Sequence, residues 1–264
     1  MIMQQVKFIT LILLAGLAAM WTAPAAAQPV ARVLFIGNEY TDANDLPQML
    51  EKLAAGTGDA LMTGKSTMPG FRLMQHFQLD KTKLLLKRQQ WDYVILQEHG
   101  ILPLDERMRE RSMIPAVQRF RKIVTDRGAT PVLFVTWASR QGARKTPYGD
   151  FNSMQKALTD SYREAAEHGE IMIAPVGEAM RRALNNDKGI VLFFSDGQTP
   201  TLAGTYLAAC VIYAALYQRS PFGSSYTAGL KPEQARFLQD LAGEMIHKER
   251  NRWHIPRPRK DPTP

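Results

Sequence analysis

Five short, almost uninterrupted apolar runs, each followed by a longer segment of helical character, constrain this chain more than any other feature. They lie at 32–36 (RVLFI), 60–63 (ALMT, the weakest), 93–97 (YVILQ), 132–136 (VLFVT) and 171–174 (IMIA). A strand with one wet face alternates apolar and polar residues. A strand buried on both faces does not, and parallel sheets covered by helices are built from such strands. Helices are expected at 45–55, 72–90 with a break near Asp80, 106–126, 152–168, 176–185, 202–218 and 232–248. Asn44 or Asp45 is a natural N-cap for the first of these, with Pro47 in its first turn. The alternation predicts an α/β fold of three layers, a parallel sheet between helices.

The ends of the chain read differently. Lys7 precedes the uncharged stretch FITLILLAGLAAMW and then TAPAAA, so 1–27 has the pattern of a secretory signal peptide cleaved after Ala27. Its apolar stretch is shorter than the ~20 residues of a spanning helix, so no stable membrane span is expected after cleavage. Export to the periplasm or the medium is therefore expected. The mature domain is expected over 28–249, followed by a basic, Pro-rich, disordered tail over 250–264. With 45% hydrophobic and 22% charged residues the chain can bury one ordinary core. Cys210 is the single cysteine and sits in the apolar run LAGTYLAACVIYAALY, so it reads as a packing residue and no internal disulfide can form. The formal charge of +8 is spread over helix faces among acidic residues, and no nucleic-acid-binding motif accompanies it.

In open α/β sheets, functional sites gather at the carboxyl ends of the strands. That rule selects Gly37-Asn38-Glu39, Met68-Pro69-Gly70, Glu98-His99, Trp137 to Arg140, and the segment FFSDGQTP before the long apolar helix.

Taken in order, RVLFIGNEYT, Gly70, WDYVILQEHG, VLFVTWA, IAPVGEAM and SDGQTPTLAGTYLAACVIYAAL resemble the SGNH (GDSL-like) hydrolase superfamily, in its bacterial branch with a GNS-x-T opening. The resemblance spans most of the mature chain. It implies a five-stranded parallel sheet of flavodoxin-like type and hydrolysis or transfer of an ester-linked acyl group, often acetyl on a sugar. The family's nucleophilic serine falls on Glu39, and its histidine base falls on Thr199, three residues after Asp196. Gly70 matches an oxyanion-donor glycine, and Gln97 is the nearest match to the oxyanion-donor amide.

These two substitutions remove the chemistry the family is known for. Acyl transfer needs a nucleophile that loses its proton as it attacks and a base within reach to take it. Glutamate, an anion near neutral pH, is a poor nucleophile toward esters and repels a developing oxyanion; threonine is no base. Losing such a pair costs on the order of 10⁶-fold in rate. One expectation is a protein without esterase activity whose crevice binds a small-molecule, carbohydrate or acyl ligand, with Asn38, Gly70, Gln97, Glu98 and Trp137 on the binding side. Trp137 reads equally as crevice wall. A second is a rebuilt hydrolase of O-acyl esters or glycosides using Glu39, Asp196 and His99 as a substitute base, with Glu98 as its orienter. Glu39, Asp196 and His99 as ligands of a divalent metal form the weakest alternative, since no clustered spacing supports it. His76 reads as a packing residue on its helix. No cofactor motif is present, and no oligomeric state is specified.

Overall fold

The computed structural model describes residues 30–142, 147–186 and 188–256. The expected signal peptide at 1–27 and the tail beyond 256 lie outside the described residues.

Strands β1 (Ala31–Gly37), β2 (Leu61–Thr67), β3 (Tyr93–Leu96), β4 (Thr130–Phe134) and β5 (Met172–Ala174) form one parallel sheet in the order β2-β1-β3-β4-β5. Val33, Leu34, Phe35 and Ile36 of β1 are wholly buried, as are Ile95, Leu96, Val132, Leu133 and Phe134 in the neighbouring strands. Each such side chain stabilises the fold by roughly 1.5–3 kcal/mol. The strand expected to end at 63 runs on to Thr67. It is one of the sheet's two edge strands, paired with β1 alone, so its second half carries the polar residues that a both-faces-buried pattern does not anticipate.

The helices are α1 (Glu39–Asp42), α2 (Leu46–Gly56), α3 (Leu73–His76), α4 (Asp80–Arg88), α5 (Glu106–Met108), α6 (Ile114–Thr125), α7 (Phe151–Glu167), α8 (Val176–Asn185), α9 (Leu202–Tyr217) and α10 (Pro232–Lys248). Right-handed crossovers place α2, which leads leftward from β1 to β2, on one face, and α6 and α7, which lead rightward, on the other. On the α2 side, α9 packs between α2 and α10. It is apolar on every side and buried from Ala203 to Leu216. The segment expected at 106–126 is helical from Glu106 to Thr125 but widens into one π turn at Arg109–Met113. Pro115 follows at once and has no N–H for a regular helical bond, which accounts for the altered pairing there. Asp45 holds the N-cap position of α2 in left-handed backbone, φ 50°, and makes no side-chain cap bond.

One boundary moves. The chain from Arg250 does not begin as a disordered tail: Arg250–Trp253 forms a 3₁₀ turn, Trp253 is wholly buried, Ile255 is nearly so, and the turn packs against β5. The basic and proline content of that stretch obscured two apolar anchors, so the domain extends to 256.

Candidate active site

The strand order reverses direction between β1 and β3, and the crevice at their carboxyl ends is where ligands of such sheets bind. There β1 ends in Gly37 and passes into α1. Asn38, wholly buried, caps that helix: its Oδ1 accepts from the Tyr40 N–H at 3.1 Å and its Nδ2 donates to the Phe71 carbonyl at 3.0 Å. Glu39 is thereby turned outward to solvent, with its Oε2 accepting from the Gly70 backbone N–H at 2.6 Å. Gly70 has φ +69°, a left-handed conformation that glycine adopts without a Cβ penalty and that aims its N–H at Glu39. His76 supports the strand end from beneath. Its Nε2 donates to the Gly37 carbonyl at 3.0 Å, and its Nδ1 lies 3.1 Å from the Thr82 hydroxyl, which in turn meets Ser66 at 2.8 Å. Burial lowers the His76 pKa, keeping the ring neutral.

The third block departs from the expected use of Gln97. Its side chain is fully buried, with Nε2 donating to Asn38 Oδ1 at 2.8 Å and to the Glu98 carbonyl at 2.6 Å. Its Oε1 accepts from the Asn38 N–H at 2.8 Å and the Thr41 hydroxyl at 3.0 Å. Both amide hydrogens are committed, so Gln97 clamps β3 to the β1 turn and presents no donor to the crevice. A Cβ at Gly37 would collide with this amide, which is why the strand ends in glycine. Glu98 is likewise buried. Its Oε1 accepts from the backbone N–H groups of His99 at 2.7 Å and Leu73 at 3.1 Å, while Oε2 has no hydrogen-bond partner. It therefore engages the His99 backbone and does not orient the imidazole. Burial pushes the Glu98 carboxyl up to about 7, against the opposing pull of those N–H groups and of Arg72.

Asp196 and Thr199 form a closed turn. Asp196 Oδ1 accepts from the N–H groups of Gln198 and Thr199, both at 2.9 Å, and Oδ2 accepts from the Thr199 hydroxyl at 2.5 Å. Those bonds, the hydroxyl's first, hold the Asp196 carboxyl below the usual carboxylate range. The residue that would orient an imidazole orients a hydroxyl in its place. Trp137 is only 3% exposed; its indole N–H donates to the Gln198 carbonyl at 2.8 Å and its ring lies 4.8 Å from that of Tyr40. It is crevice wall, tying the last block to the first.

Glu39, Tyr40, His99, Ile101, Trp137 and Thr199 come together around a cleft of about 430 Å³. Asp196, Gly70, Gln97 and Glu98 do not line it. The pairing of Glu39 with Asp196 across one cleft is thus corrected, because the Asp196 carboxylate is spent within its own turn. Among the described residues no three of His, Cys, Asp and Glu converge as metal ligands. Tyr40, Ile101 and Gln198 were not singled out by sequence. Tyr40 had a signal, since it follows Glu39 in the same turn; burial raises its hydroxyl to about 12, with Glu39 adding to the effect.

The strand order and the cleft position are those of a flavodoxin-like α/β/α sheet, and solved structures match the fold to that of SGNH hydrolases. A DUF4886 family protein from Bacteroides uniformis superposes with a TM-score of 0.70 at 23% identity, covering 83% of this chain and 95% of that one. A candidate SGNH hydrolase from Slackia heliotrinireducens gives 0.58 at 25% identity, over 70% of this chain and 98% of the other. The lipase/acylhydrolase from Enterococcus faecalis gives 0.52 at 15%, over 71% and 96%. No family model matches the chain, and no curated protein matches it in sequence.

Proposed function

We propose that this is an exported protein that uses an SGNH-hydrolase scaffold to bind a small molecule, with no esterase activity of its own. The carrying observation is the 2.6 Å bond from the Gly70 N–H to Glu39 Oε2. In the resemblance, that N–H faces the oxyanion of a substrate held by a serine. Here it is satisfied by the carboxylate standing at the serine's position. An ester carbonyl entering the cleft finds a negative charge where it needs donors, no base at Thr199, and the Gln97 amide already committed.

Purified protein is expected to hydrolyse p-nitrophenyl acetate and acetylated xylo-oligosaccharides no faster than buffer does, with Glu39→Gln indistinguishable from the parent. Turnover that Glu39→Gln abolishes would overturn this and install the second reading, a rebuilt hydrolase of O-acyl esters or glycosides. That reading is favoured by the placement of Glu39 and His99 on one cleft. Export after removal of 1–27 predicts that protein recovered from the envelope or medium begins at Gln28. An intact mass that retains the leader would refute it.

A further inference from the structure

We infer that the ligand of the cleft carries a positive charge, an ammonium group on an apolar or aromatic body, held against the Glu39 carboxylate. This rests on reading the cleft as a binding site. The chain as a whole is basic, with 33 Lys and Arg against 25 Asp and Glu. Yet among the described residues that line the cleft there is no Lys or Arg, and Glu39 is the one acid. The local charge is therefore opposite to that of the molecule, and it occurs in a concavity, where a charge acts most strongly on a ligand.

Glu39 is also poised for such a partner. The other acids of the same turn are occupied: Asp42 and Asp45 both pair with Lys65, at 2.8 Å and 3.4 Å. Glu39 enters no ion pair among the described residues. The Gly70 N–H takes Oε2 and fixes the carboxylate's direction, while Oε1 has no protein partner there. A cation reaching Oε1 would meet a carboxylate whose orientation is already set, with little further ordering required. Tyr40 stands beside it, half-buried and backed by Trp137 at 4.8 Å. Aromatic faces attract ammonium groups within about 6 Å. Ile101, 60% exposed, supplies an apolar lip for the rest of the ligand. The same carboxylate repels fatty acids, acidic sugars and phosphorylated ligands.

The test uses three probes of one shape and different charge, benzylammonium, benzyl alcohol and benzoate, titrated calorimetrically into the full chain. All titrations are run at one pH, 8, so that the three probes meet the same protein. Benzylammonium is expected to bind at least about tenfold more tightly than benzyl alcohol, and benzoate more weakly than either. In Glu39→Gln, benzylammonium should bind no more tightly than benzyl alcohol does to the same variant. Added salt should erode the ammonium preference in the parent. Equal binding of ammonium and alcohol, stronger binding of benzoate, a preference that survives in Glu39→Gln, or no binding of any probe at millimolar concentration overturns the inference. Alcohol binding without charge preference overturns it while leaving the binding cleft standing. Glu39-dependent ester turnover removes the binding-protein reading and leaves the charge preference as a separate result.

Discussion

A carboxylate and a hydroxyl at position 39 place different demands on the Gly70 N–H. With Glu39 present, the N–H is occupied at 2.6 Å; with serine there, it is released. Asp196 already presents its carboxylate to residue 199 through the 2.5 Å bond, the contact an imidazole would need. The double variant Glu39→Ser with Thr199→His is therefore expected to hydrolyse p-nitrophenyl acetate measurably above the parent. Because the Gln97 amide stays committed to Asn38 and Glu98, one oxyanion donor is missing, a deficit of order 10²–10³ in rate. A folded double variant as inert as the parent would show that more than nucleophile and base has been lost. Two buried neighbours, Glu98 and His76, govern a second outcome at this scale. Glu98 rises from 4.5 to about 7 on folding. The folded protein thus keeps a proton that the unfolded chain releases between those values, and this contribution is full below 4.5 and lost as the pH rises through 7. A rise of that size is worth about 3 kcal/mol. His76 acts in the opposite sense: its pKa is lowered from 6.5, so its contribution is present above 6.5 and lost on acidification. On acidification below 6.5 the two therefore act in opposite senses. Glu98→Gln removes one side, and its stability by urea unfolding is expected to fall on acidification below 6.5 more steeply than the parent's. Parallel profiles would rule out this account of the buried acid.

At the scale of elements, the sequence revealed what periodicity can encode. β1, β3, β4 and β5 were legible because burial on both faces leaves an unbroken apolar run. α8 and α10 were legible to the residue, Val176–Asn185 and Pro232–Lys248. α1 was not, since a helix of 4 residues is about one turn and shows no repeat. That omission mattered, because α1 is what turns Glu39 outward and Tyr40 toward Trp137. The positions of Gly70 and Gln97 could be matched by order along the chain, but the direction of the Gln97 side chain could not. It is set by a three-way contact among the ends of β1, β3 and α1 that no single segment contains. The 250–256 stretch shows the converse error, in which basic and proline content outweighed Trp253. Burying an indole of that size is worth about as much as the 3–5 kcal/mol typical of Trp→Ala in a core, enough to order a short polar segment.

For the whole molecule, the order β2-β1-β3-β4-β5 explains why the candidate residues are scattered from Glu39 to Thr199 and still meet. The carboxyl ends of parallel strands share one edge, so the sequence could name the edge but not the partition along it. Glu39, His99 and Thr199 share a cleft, and Asp196 faces away into its own turn. Helix α9 lies behind that edge, apolar on every side over 16 residues. At 1.5 Å per residue it is roughly 24 Å long, short of the ~30 Å hydrocarbon core of a bilayer, and no helix among the described residues is long and apolar enough to cross a membrane. If the chain is threaded unfolded through a translocation channel, as the proposed export requires, this segment is the one among the described helices that lipid would compete for most strongly. Its shortfall of about one turn biases the competition toward the slot between α2 and α10. On the export proposed above, the length of a core helix becomes a constraint in its own right: one added apolar turn would bring α9 close to the length that a bilayer core can hold.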